Sequence, residues 1–248
     1  MRLEAIETYY DTVPRAAATT EEVGPFTLFV AAEGTGWQFY ARPRLGLEAS
    51  FTADDVRRVL ARQQELGLPQ AIEWVDEVTP SLLPAVIEAG FEPGRYPLLA
   101  LPEHAHVDEP TSSARVLAPD DPDLAVSIGA VGAAFDGTDE FEPGDVGRRP
   151  ELIAAGHLIV VAAYDDRGRV VGGGSASPRG ETAELMGIGV PKGHRNLGVG
   201  TAVTEALVHV CRSAGVRTPF LSAYNDAAAS IYRRVGFVDL GTACILEP

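Results

Sequence analysis

The residues of this chain that are best placed for chemistry form an Arg-x-x-Gly-x-Gly turn made of Arg195, Gly198 and Gly200. An apolar stretch precedes this turn and an amphipathic stretch follows it, so we expect the turn to join a strand to a helix. Backbone N–H groups at a helix N-terminus attract anions, and glycines let an anion approach the main chain closely. The turn therefore predicts a phosphate-binding site.

Two familiar phosphate-binding turns do not fit these residues. A dinucleotide-binding turn has the pattern Gly-x-Gly-x-x-Gly, whereas this turn opens with Arg195 and lacks the third glycine. A Walker-type loop needs Gly-Lys followed by Ser or Thr, which the segment also lacks. Taken alone, the segment is explained equally well as a tight turn that uses glycine for steric reasons.

A second segment, from Tyr224 to Phe237, contains a tyrosine in a suggestive position. Asn225 is placed to begin a helix and Gly236 to end it. Tyr232 follows Asn225 by about two helical turns and so lies on the same face of that helix. A half-buried tyrosine of the hydrophobic core is the alternative explanation.

Together the two segments resemble the cofactor-binding motifs of GNAT-family N-acetyltransferases. The first has the spacing Val-x-x-x-x-Arg from Val190 to Arg195, and the second matches Asn-x-x-Ala-x-x-x-Tyr-x-x-x-Gly-Phe from Asn225 to Phe237. The resemblance covers about residues 114–246 well and residues 26–101 faintly. It implies acetyl-CoA as co-substrate, direct acetyl transfer to a primary amine without a covalent enzyme intermediate, and no need for a metal ion.

The resemblance also implies roles for particular residues. Main-chain groups of Ile188 and Val190 would pair with the pantetheine arm and polarise the thioester carbonyl, and Tyr232 would protonate the departing thiolate. Glu184 would deprotonate the acceptor ammonium directly or through water, although a structural ion pair explains this carboxylate nearly as well. The expected cofactor-binding residues are Ile188, Gly189, Val190, Arg195, Asn196, Leu197, Gly198, Val199, Gly200, Thr201, Asn225 and Tyr232.

Residues 114–248 carry the order of elements that the GNAT fold implies. This is an α+β (α/β sandwich-like) fold with a mixed, mostly antiparallel central sheet flanked by helices. The pattern predicts strands at 114–117, 157–164, 170–177, 182–190, 219–223 and 238–246, and helices at 121–135, 149–155, 199–214 and 226–235.

Residues 1–101 repeat part of that order and predict a smaller α+β module. Helices are expected from Thr52 to Gly67 and from Thr79-Pro80 to Gly90, with strands at 71–75 and 96–101 and a preceding hairpin of residues 26–30 and 37–41. We interpret this part as a partial, degenerate GNAT-like module without the opening helices or the glycine turn. An unrelated α+β lobe is the alternative.

Residues 102–113 are polar, contain two prolines and predict a linker between this module and a catalytic domain at 114–248. His104 and His106 are expected to be solvated within the linker rather than to bind a metal.

The net charge of the chain indicates which kinds of partner it is expected to bind. The net charge of −15 argues against binding to nucleic acid or to an anionic membrane, and it mildly favours a cationic partner. Residues 135–145 hold five carboxylates and two phenylalanines, which suits a cationic amine with an apolar body. A solvated acidic loop is the commoner reason for such a composition. The acceptor itself is not identified by the sequence.

The remaining features favour a cytoplasmic protein. Cys211 and Cys244 lie in apolar contexts and are expected to be small buried hydrophobic residues, as in a reducing compartment. The first residues carry charges and do not resemble a signal peptide, and the longest aliphatic run, 158–163, is too short to span a bilayer. A catalytically silent acyl-CoA-binding or sensing protein is the main rival function, and a homodimer is left open.

Overall fold

A computed structural model of the chain describes residues 3–31, 40–111 and 113–248. The chain divides into an N-terminal unit, Met1–Leu98 together with Leu240–Pro248, and a C-terminal unit, Leu99–Asp239. The sequence-based division into domains at residues 101 and 114 stays a prediction. In chain order the elements are α1 (Leu3–Arg15), β1 (Ala18–Val23), β2 (Phe26–Ala31), β3 (Ala41–Pro43), α2 (Ala53–Glu65), β4 (Ile72–Val75), α3 (Leu82–Glu88), β5 (Gly94–Ala100), β6 (Ala114–Val116), α4 (Asp123–Asp136), α5 (Arg149–Ala154), β7 (Ile159–Tyr164), β8 (Val170–Arg179), β9 (Thr182–Gly189), α6 (Val199–Ser213), β10 (Thr218–Ser222), α7 (Asp226–Val235) and β11 (Val238–Leu246).

In the N-terminal unit the strands lie in the order β1-β2-β3-β4-β11. Neighbouring strands are antiparallel except β3 and β4, which are parallel and are joined through α2. Buried residues of α2 and α3, among them Val59 and Val86, pack with Phe26 and Trp74 of the sheet. The predicted start of α2 is confirmed, because Thr52 and Asp55 form a capping box in which each side chain accepts from the other's backbone N–H.

Two predictions for this unit need correction, and a third lies partly outside the described residues. The expected absence of an opening helix is wrong, since α1 buries Ile6 and Tyr9 against the unit. The second helix begins at Leu82 rather than at Thr79-Pro80, because residues 79–82 form a separate turn in which the N–H of Leu82 donates to the carbonyl of Thr79 at 3.0 Å. Residues 37–39 of the predicted hairpin lie outside the described residues, while β3 does pair with β2.

The same unit holds a cluster of charges, here called the Arg42 cluster: the buried Arg42 and Glu7 and the half-buried Glu73, with the ring of Tyr10. The guanidinium lies 3.3 Å from a carboxylate oxygen of Glu7 and 3.4 Å from one of Glu73, and its carbon lies 4.2 Å from the centre of the Tyr10 ring. Burial raises the pKa of Glu73 to about 7, although the Arg42 charge partly opposes this rise. These groups are therefore held together in an environment that disfavours isolated charge.

In the C-terminal unit the strands lie in the order β10-β9-β8-β7-β6, antiparallel except for the parallel pair β9 and β10. Alternate residues of β7 pack on opposite faces of the sheet. Val161 and Ala163 share a core with α6 and α7, whereas Val160 and Ala162 pack with α4. The predicted mixed sheet with helices on both faces is thus confirmed for this unit.

The predicted linker is fixed along α6 of the C-terminal unit rather than wholly solvated. Val107 is buried in the core, Arg212 donates to the carbonyl of Ala105 at 2.9 Å, and Glu103 pairs with Arg217 at 2.9 Å. His104 and His106 are exposed. Within residues 3–31, 40–111 and 113–248, no cluster of three His, Cys, Asp or Glu side chains could hold a metal ion, and none of the helices is long and apolar enough to cross a membrane.

Candidate active site

The last residues of β9 are displaced by a β-bulge. Ser175 of β8 pairs with Met186 and Gly173 pairs with Gly189, so β9 has one more residue than β8 across this interval. Gly187 lies in the bulge with φ +59°, a conformation that glycine adopts without strain. The bulge re-aims the main chain at Ile188, and the half-buried Ile188 side chain packs on the core shared with α6 and α7.

The parallel strands β9 and β10 pair only at their start among the described residues. Their ladder consists of Thr182 with Thr218, Ala183 with Pro219 and Glu184 with Phe220, whereas β9 continues to Gly189. The main chain of β9 beyond Glu184 is therefore outside this ladder, on the side where β10 would otherwise bond. The predicted site residues Ile188, Gly189 and Val190 all follow this point.

The turn after β9 joins a short 3-10 turn, Lys192–His194, to α6. Asn196 has φ +62° and is the one non-glycine residue of the described chain with a positive φ. Gly198, at the N-cap of α6, has φ +81°. Asn196, Leu197 and Gly198 are exposed, so the turn presents its main chain to solvent.

The predicted anion site would lie at the first turn of α6. The first N–H of the helix ladder to bond is that of Ala202, which donates to Gly198 at 3.0 Å. The preceding N–H groups, of Val199, Gly200 and Thr201, have no intrahelical acceptor by the geometry of any helix start. Because Gly198 has no side chain that could cap them, these groups can meet an anion at the positive end of the helix dipole.

Arg195 holds this turn in place, because its guanidinium donates two hydrogen bonds to main-chain carbonyls. Its Nε donates to the carbonyl of Val190 at 2.9 Å, and its Nη2 donates to the carbonyl of Ala134, near the end of α4, at 2.9 Å. Close packing of α4 against β9 requires Gly189, since an added Cβ would lie 3.1 Å from the Cα of Val131. Arg195 thereby ties the end of β9, the turn and α4 together.

Tyr232 lies on α7, and Asn225 is the residue immediately before this helix. Asn225 caps α7 by accepting from the N–H of Ala228 at 2.9 Å, which confirms its predicted place at the helix start, and Gly236 ends α7 with φ +111°. Tyr232 is half-buried and packs edge-on to Phe237, against the same core that Ile188 and Val199 contact. Burial raises the pKa of Tyr232 to about 12, and its hydroxyl has no hydrogen-bond partner in the part of the chain that the structure describes.

Glu184 lies on the other face of β9. Ala183 and Leu185 point into the core shared with α6 and α7, so Glu184 between them faces the side on which α4 packs. Its side chain is half-buried and its backbone pairs with Ser177 and Phe220. Tyr232 and Glu184 are thus placed on opposite faces of the sheet.

The acidic loop after α4 packs on that helix. Its main chain is held at both ends, where Thr138 N–H donates to Ala133 and Gly144 N–H donates to Ala125, and Phe141 packs on the α4 side of the sheet. In the middle, Asp139 accepts from the N–H of Gly193 at 2.6 Å. Phe135 is exposed.

Replacing Gly129 by alanine is expected to detach this loop from α4. A Cβ at Gly129 would lie 2.0 Å from the carbonyl oxygen of Glu142, so the loop must move away. We expect the free energy of unfolding to fall by about 1–3 kcal/mol, the usual cost of overpacking, and the loop to become more sensitive to proteolysis. Gly132→Ala is the matched control on the same helix, because an added Cβ there meets nothing within 4 Å. Equal stability of the two variants in chemical denaturation would contradict the contact.

Both cysteines are confirmed as buried, free residues. Burial raises the pKa of Cys211 to about 12 and that of Cys244 to about 11, so neither thiol is an activated nucleophile.

Sequence reasoning missed three features that shape the site. The bulge at Gly187 depends on the register between β8 and β9, and the roles of Arg195 and Asp139 depend on contacts with α4 and with Gly193. A hint of the bulge was present in the two glycines that flank Ile188 at the end of an apolar strand.

Comparison with known proteins agrees with this arrangement. Residues 132–237 match the model of the acetyltransferase (GNAT) family. Among solved structures, a GCN5-related N-acetyltransferase from Kribbella flavida is 20% identical, with a TM-score of 0.73 over 98% of this chain and 94% of that one. A GCN5-related N-acetyltransferase from Sphaerobacter thermophilus is 16% identical, with a TM-score of 0.61 over 91% and 81%. A tandem GNAT protein from the clavulanic acid biosynthesis pathway is 14% identical, with a TM-score of 0.54 over 89% and 77%.

At these identities the solved structures establish the fold, and the GNAT fold predicted from the sequence is confirmed. No curated protein matches the chain in sequence. The family model covers the last five residues of α4, the acidic loop, the bulged strand, the glycine turn and all of α7. Residues 132–237 of this chain are a GNAT-family acetyltransferase domain, and membership of that family implies acyl transfer.

Proposed function

We propose that the protein is an acetyl-CoA-dependent N-acetyltransferase that transfers an acetyl group directly to a primary amine. The observation that carries this proposal is the hydroxyl of Tyr232, which stays protonated because burial raises its pKa, and which has no partner among the described residues. A protein that only binds acyl-CoA has no need of such a proton donor. The cofactor would supply the activated acetyl thioester.

The residues of the turn fit a pyrophosphate. The N–H groups of Val199, Gly200 and Thr201 and the helix dipole favour an anion, and the glycines leave the main chain uncovered. Arg195 holds the turn in place through Val190 and Ala134. Exposed Asn196 and Leu197 line the same turn, and Ile188 and Gly189 would offer main-chain groups to the pantetheine arm. Asn225 would contribute by fixing the start of α7.

Tyr232 is suited to donating a proton and Glu184 to accepting one. Tyr232 would donate its proton to the departing thiolate, and Glu184, on the α4 face, would accept the proton of the acceptor ammonium directly or through water. The acidic loop follows α4, so a cationic acceptor reaching this face would meet five carboxylates and the exposed ring of Phe135. We propose a cationic amine with an apolar body as the class of acceptor.

The proposal extends to partners and to the N-terminal unit. The net charge of −15 supports a protein without nucleic-acid or anionic-membrane partners, and the two free cysteines support a reducing compartment such as the cytoplasm. Both units order three antiparallel strands, a helix, a parallel strand and a second helix. That second helix is followed in each unit by a glycine of positive φ and a phenylalanine, Gly90-Phe91 and Gly236-Phe237. The similarity to a tandem GNAT protein supports our view that residues 1–101 are a degenerate second copy.

Gly200→Ala is expected to weaken acetyl-CoA binding without harming the fold. Gly200 has no positive φ, and an added Cβ would meet only Val190 at 3.9 Å, an ordinary contact. Stability should stay the same or rise slightly, since alanine suits a helix better than glycine. The methyl group would stand between the main chain and the pyrophosphate, so the Kd for acetyl-CoA should rise by roughly tenfold or more, about 1.4 kcal/mol.

Titration calorimetry with acetyl-CoA tests this expectation, with Gly132→Ala as the variant in which a helical glycine gains the same methyl group elsewhere. An unchanged Kd for Gly200→Ala would mean that the glycines serve the turn alone. A screen for free thiol released from acetyl-CoA in the presence of amines then separates the enzyme from the silent sensing protein: binding without release from any amine would favour the sensor.

A further inference from the structure

The acidic loop is hydrogen-bonded directly to Gly193, in the 3-10 turn that leads into the glycine turn, although 54 residues separate the two in sequence. Asp139 Oδ1 accepts from the N–H of Gly193 at 2.6 Å, one residue before His194 and two before Arg195. The carboxylate also lies against the Gly193 main chain, since a Cβ there would meet its oxygens and carbon within 3.4–3.6 Å. A short hydrogen bond from a backbone N–H to a carboxylate is of the charge-assisted kind.

A second hydrogen bond joins the same two segments. Arg195 Nη2 donates to Ala134, in the last turn of α4, and Asp139 lies just beyond the end of that helix. Residues 193–195 are thus bonded to the C-terminal end of α4 through Arg195 and to the acidic loop through Gly193. A change in the conformation of residues 193–195 must therefore change the conformation of the acidic loop.

The hydrogen bonds of Arg195 and of Asp139 involve different kinds of structure. Arg195 bonds to main-chain carbonyls of packed elements, Val190 and Ala134, whereas Asp139 belongs to an exposed loop. Between the anchors of Thr138 and Gly144 on α4, Asp139 provides the bond that reaches across to the turn. The conformation of the loop therefore depends on the turn through Asp139.

We propose that Asp139 is a positioning residue that couples acetyl-CoA binding at the turn to the order of the acidic loop. This inference rests on the proposed function, in which the loop receives the acceptor amine. An anion bound at the start of α6 fixes the turn, the fixed turn holds Asp139, and Asp139 holds the loop. Because such coupling is reciprocal, acetyl-CoA then strengthens acceptor binding, and a bound acceptor strengthens acetyl-CoA binding by the same factor.

The test is amide hydrogen exchange of residues 138–145 with and without saturating coenzyme A, in the wild-type full chain and in Asp139→Ala. Coenzyme A is the probe because it carries the pyrophosphate and does not turn over. In the wild type we expect coenzyme A to slow exchange in this loop about tenfold or more. In Asp139→Ala we expect coenzyme A to bind within about threefold of its wild-type Kd while leaving loop exchange unchanged.

Two further variants distinguish a positioning role of Asp139 from a purely electrostatic role of its carboxylate. Asp136→Ala removes a carboxylate from the last turn of α4, and we expect wild-type coupling to persist. Asp139→Asn keeps an oxygen acceptor and should restore part of the coenzyme A effect on the loop, which a merely electrostatic role would not. Persistent coupling in Asp139→Ala, or its loss in Asp136→Ala, would overturn the assignment.

The outcomes distinguish this inference from the proposed function. If calorimetry detects coenzyme A binding to the wild type but loop exchange does not change, the coupling is wrong and the proposed function stands. If coenzyme A does not bind at all, the proposed function fails and the coupling fails with it.

Discussion

Tyr232→Phe is expected to lower kcat roughly 10- to 100-fold while leaving the Kd for acetyl-CoA within about twofold of the wild-type value. The hydroxyl of Tyr232 has no partner among the described residues, so its removal breaks no hydrogen bond of the fold. The ring, which packs against Phe237 and the core, is retained by phenylalanine. The loss should therefore fall on the proton delivered to the departing thiolate and not on cofactor binding.

Calorimetry with acetyl-CoA and the rate of thiol release with an accepted amine measure the two quantities separately. Tyr164→Phe is the control within the same unit, because it also removes one hydroxyl, here one that donates to Asp123 at 2.8 Å. We expect this control to cost about 1 kcal/mol of stability with little effect on kcat. If Tyr232→Phe weakens acetyl-CoA binding as much as it slows turnover, Tyr232 is not the general acid.

Arg42→Met should lower the free energy of unfolding by about 3–5 kcal/mol at pH 8, the usual cost of leaving a buried charge without its partner. Arg42 is 3% exposed and pairs with both Glu7 and Glu73, so the variant leaves two carboxylates without this cation. A methionine side chain of similar length fills most of the space. Combining Arg42→Met with Glu73→Gln should recover part of the loss, because the remaining amide carries no charge.

The deficit of Arg42→Met should shrink as the pH falls. Glu73 has a pKa of about 7 in the folded protein, above its ordinary value of 4.5, so it favours folding at low pH and this contribution is lost as the pH rises through 7. Without Arg42, which opposes that rise, the pKa of Glu73 should increase further. At pH 5 the carboxyl is then protonated in the folded variant and needs no cation.

Chemical denaturation at pH 5 and pH 8, followed by tryptophan fluorescence, measures this difference, since Trp74 is buried in the same unit. Arg44→Met is the control, because the Arg44 pair with Glu22 is solvent-exposed and should contribute less than about 1 kcal/mol. A similar deficit for both variants, or one that grows at pH 5, would contradict the role given to the Arg42 cluster.

Local patterns in the sequence predicted the C-terminal unit closely, and the reasons are visible in particular elements. The bounds of α7 follow from Asn225 and Gly236, which are signals for a helix start and a helix end that depend only on neighbouring residues. By contrast, the sequence has no Asn or Gly signal at either end of α1, and the helix contains Pro14, so the pattern does not predict a helix there although Ile6 and Tyr9 form an apolar face. Helix α3 begins at Leu82 because Thr79 and Pro80 belong to a separate turn, in which the N–H of Leu82 donates to Thr79.

The features of the structure that sequence reasoning could not predict all involve partners that are distant in sequence. The bulge at Gly187 exists only relative to β8, and the Asp139–Gly193 bond spans 54 residues. The Arg42 cluster joins α1, β3 and β4, whose charged residues look like ordinary surface positions in the sequence. Spacing along one segment carries no information about such pairs.

The residues Leu240–Pro248 belong to the N-terminal unit, and this has a consequence for the order in which the chain can fold during synthesis. β11 pairs with β4, as in the pair of Cys244 with Trp74. A ribosome-bound chain that has released residues 1–98 still lacks that partner strand until the whole of Leu99–Asp239 has been made. The first unit to be translated is thus the last to complete its sheet, with a long loop to close. Its unpaired β4 edge would be open to chaperones or to other chains throughout that interval.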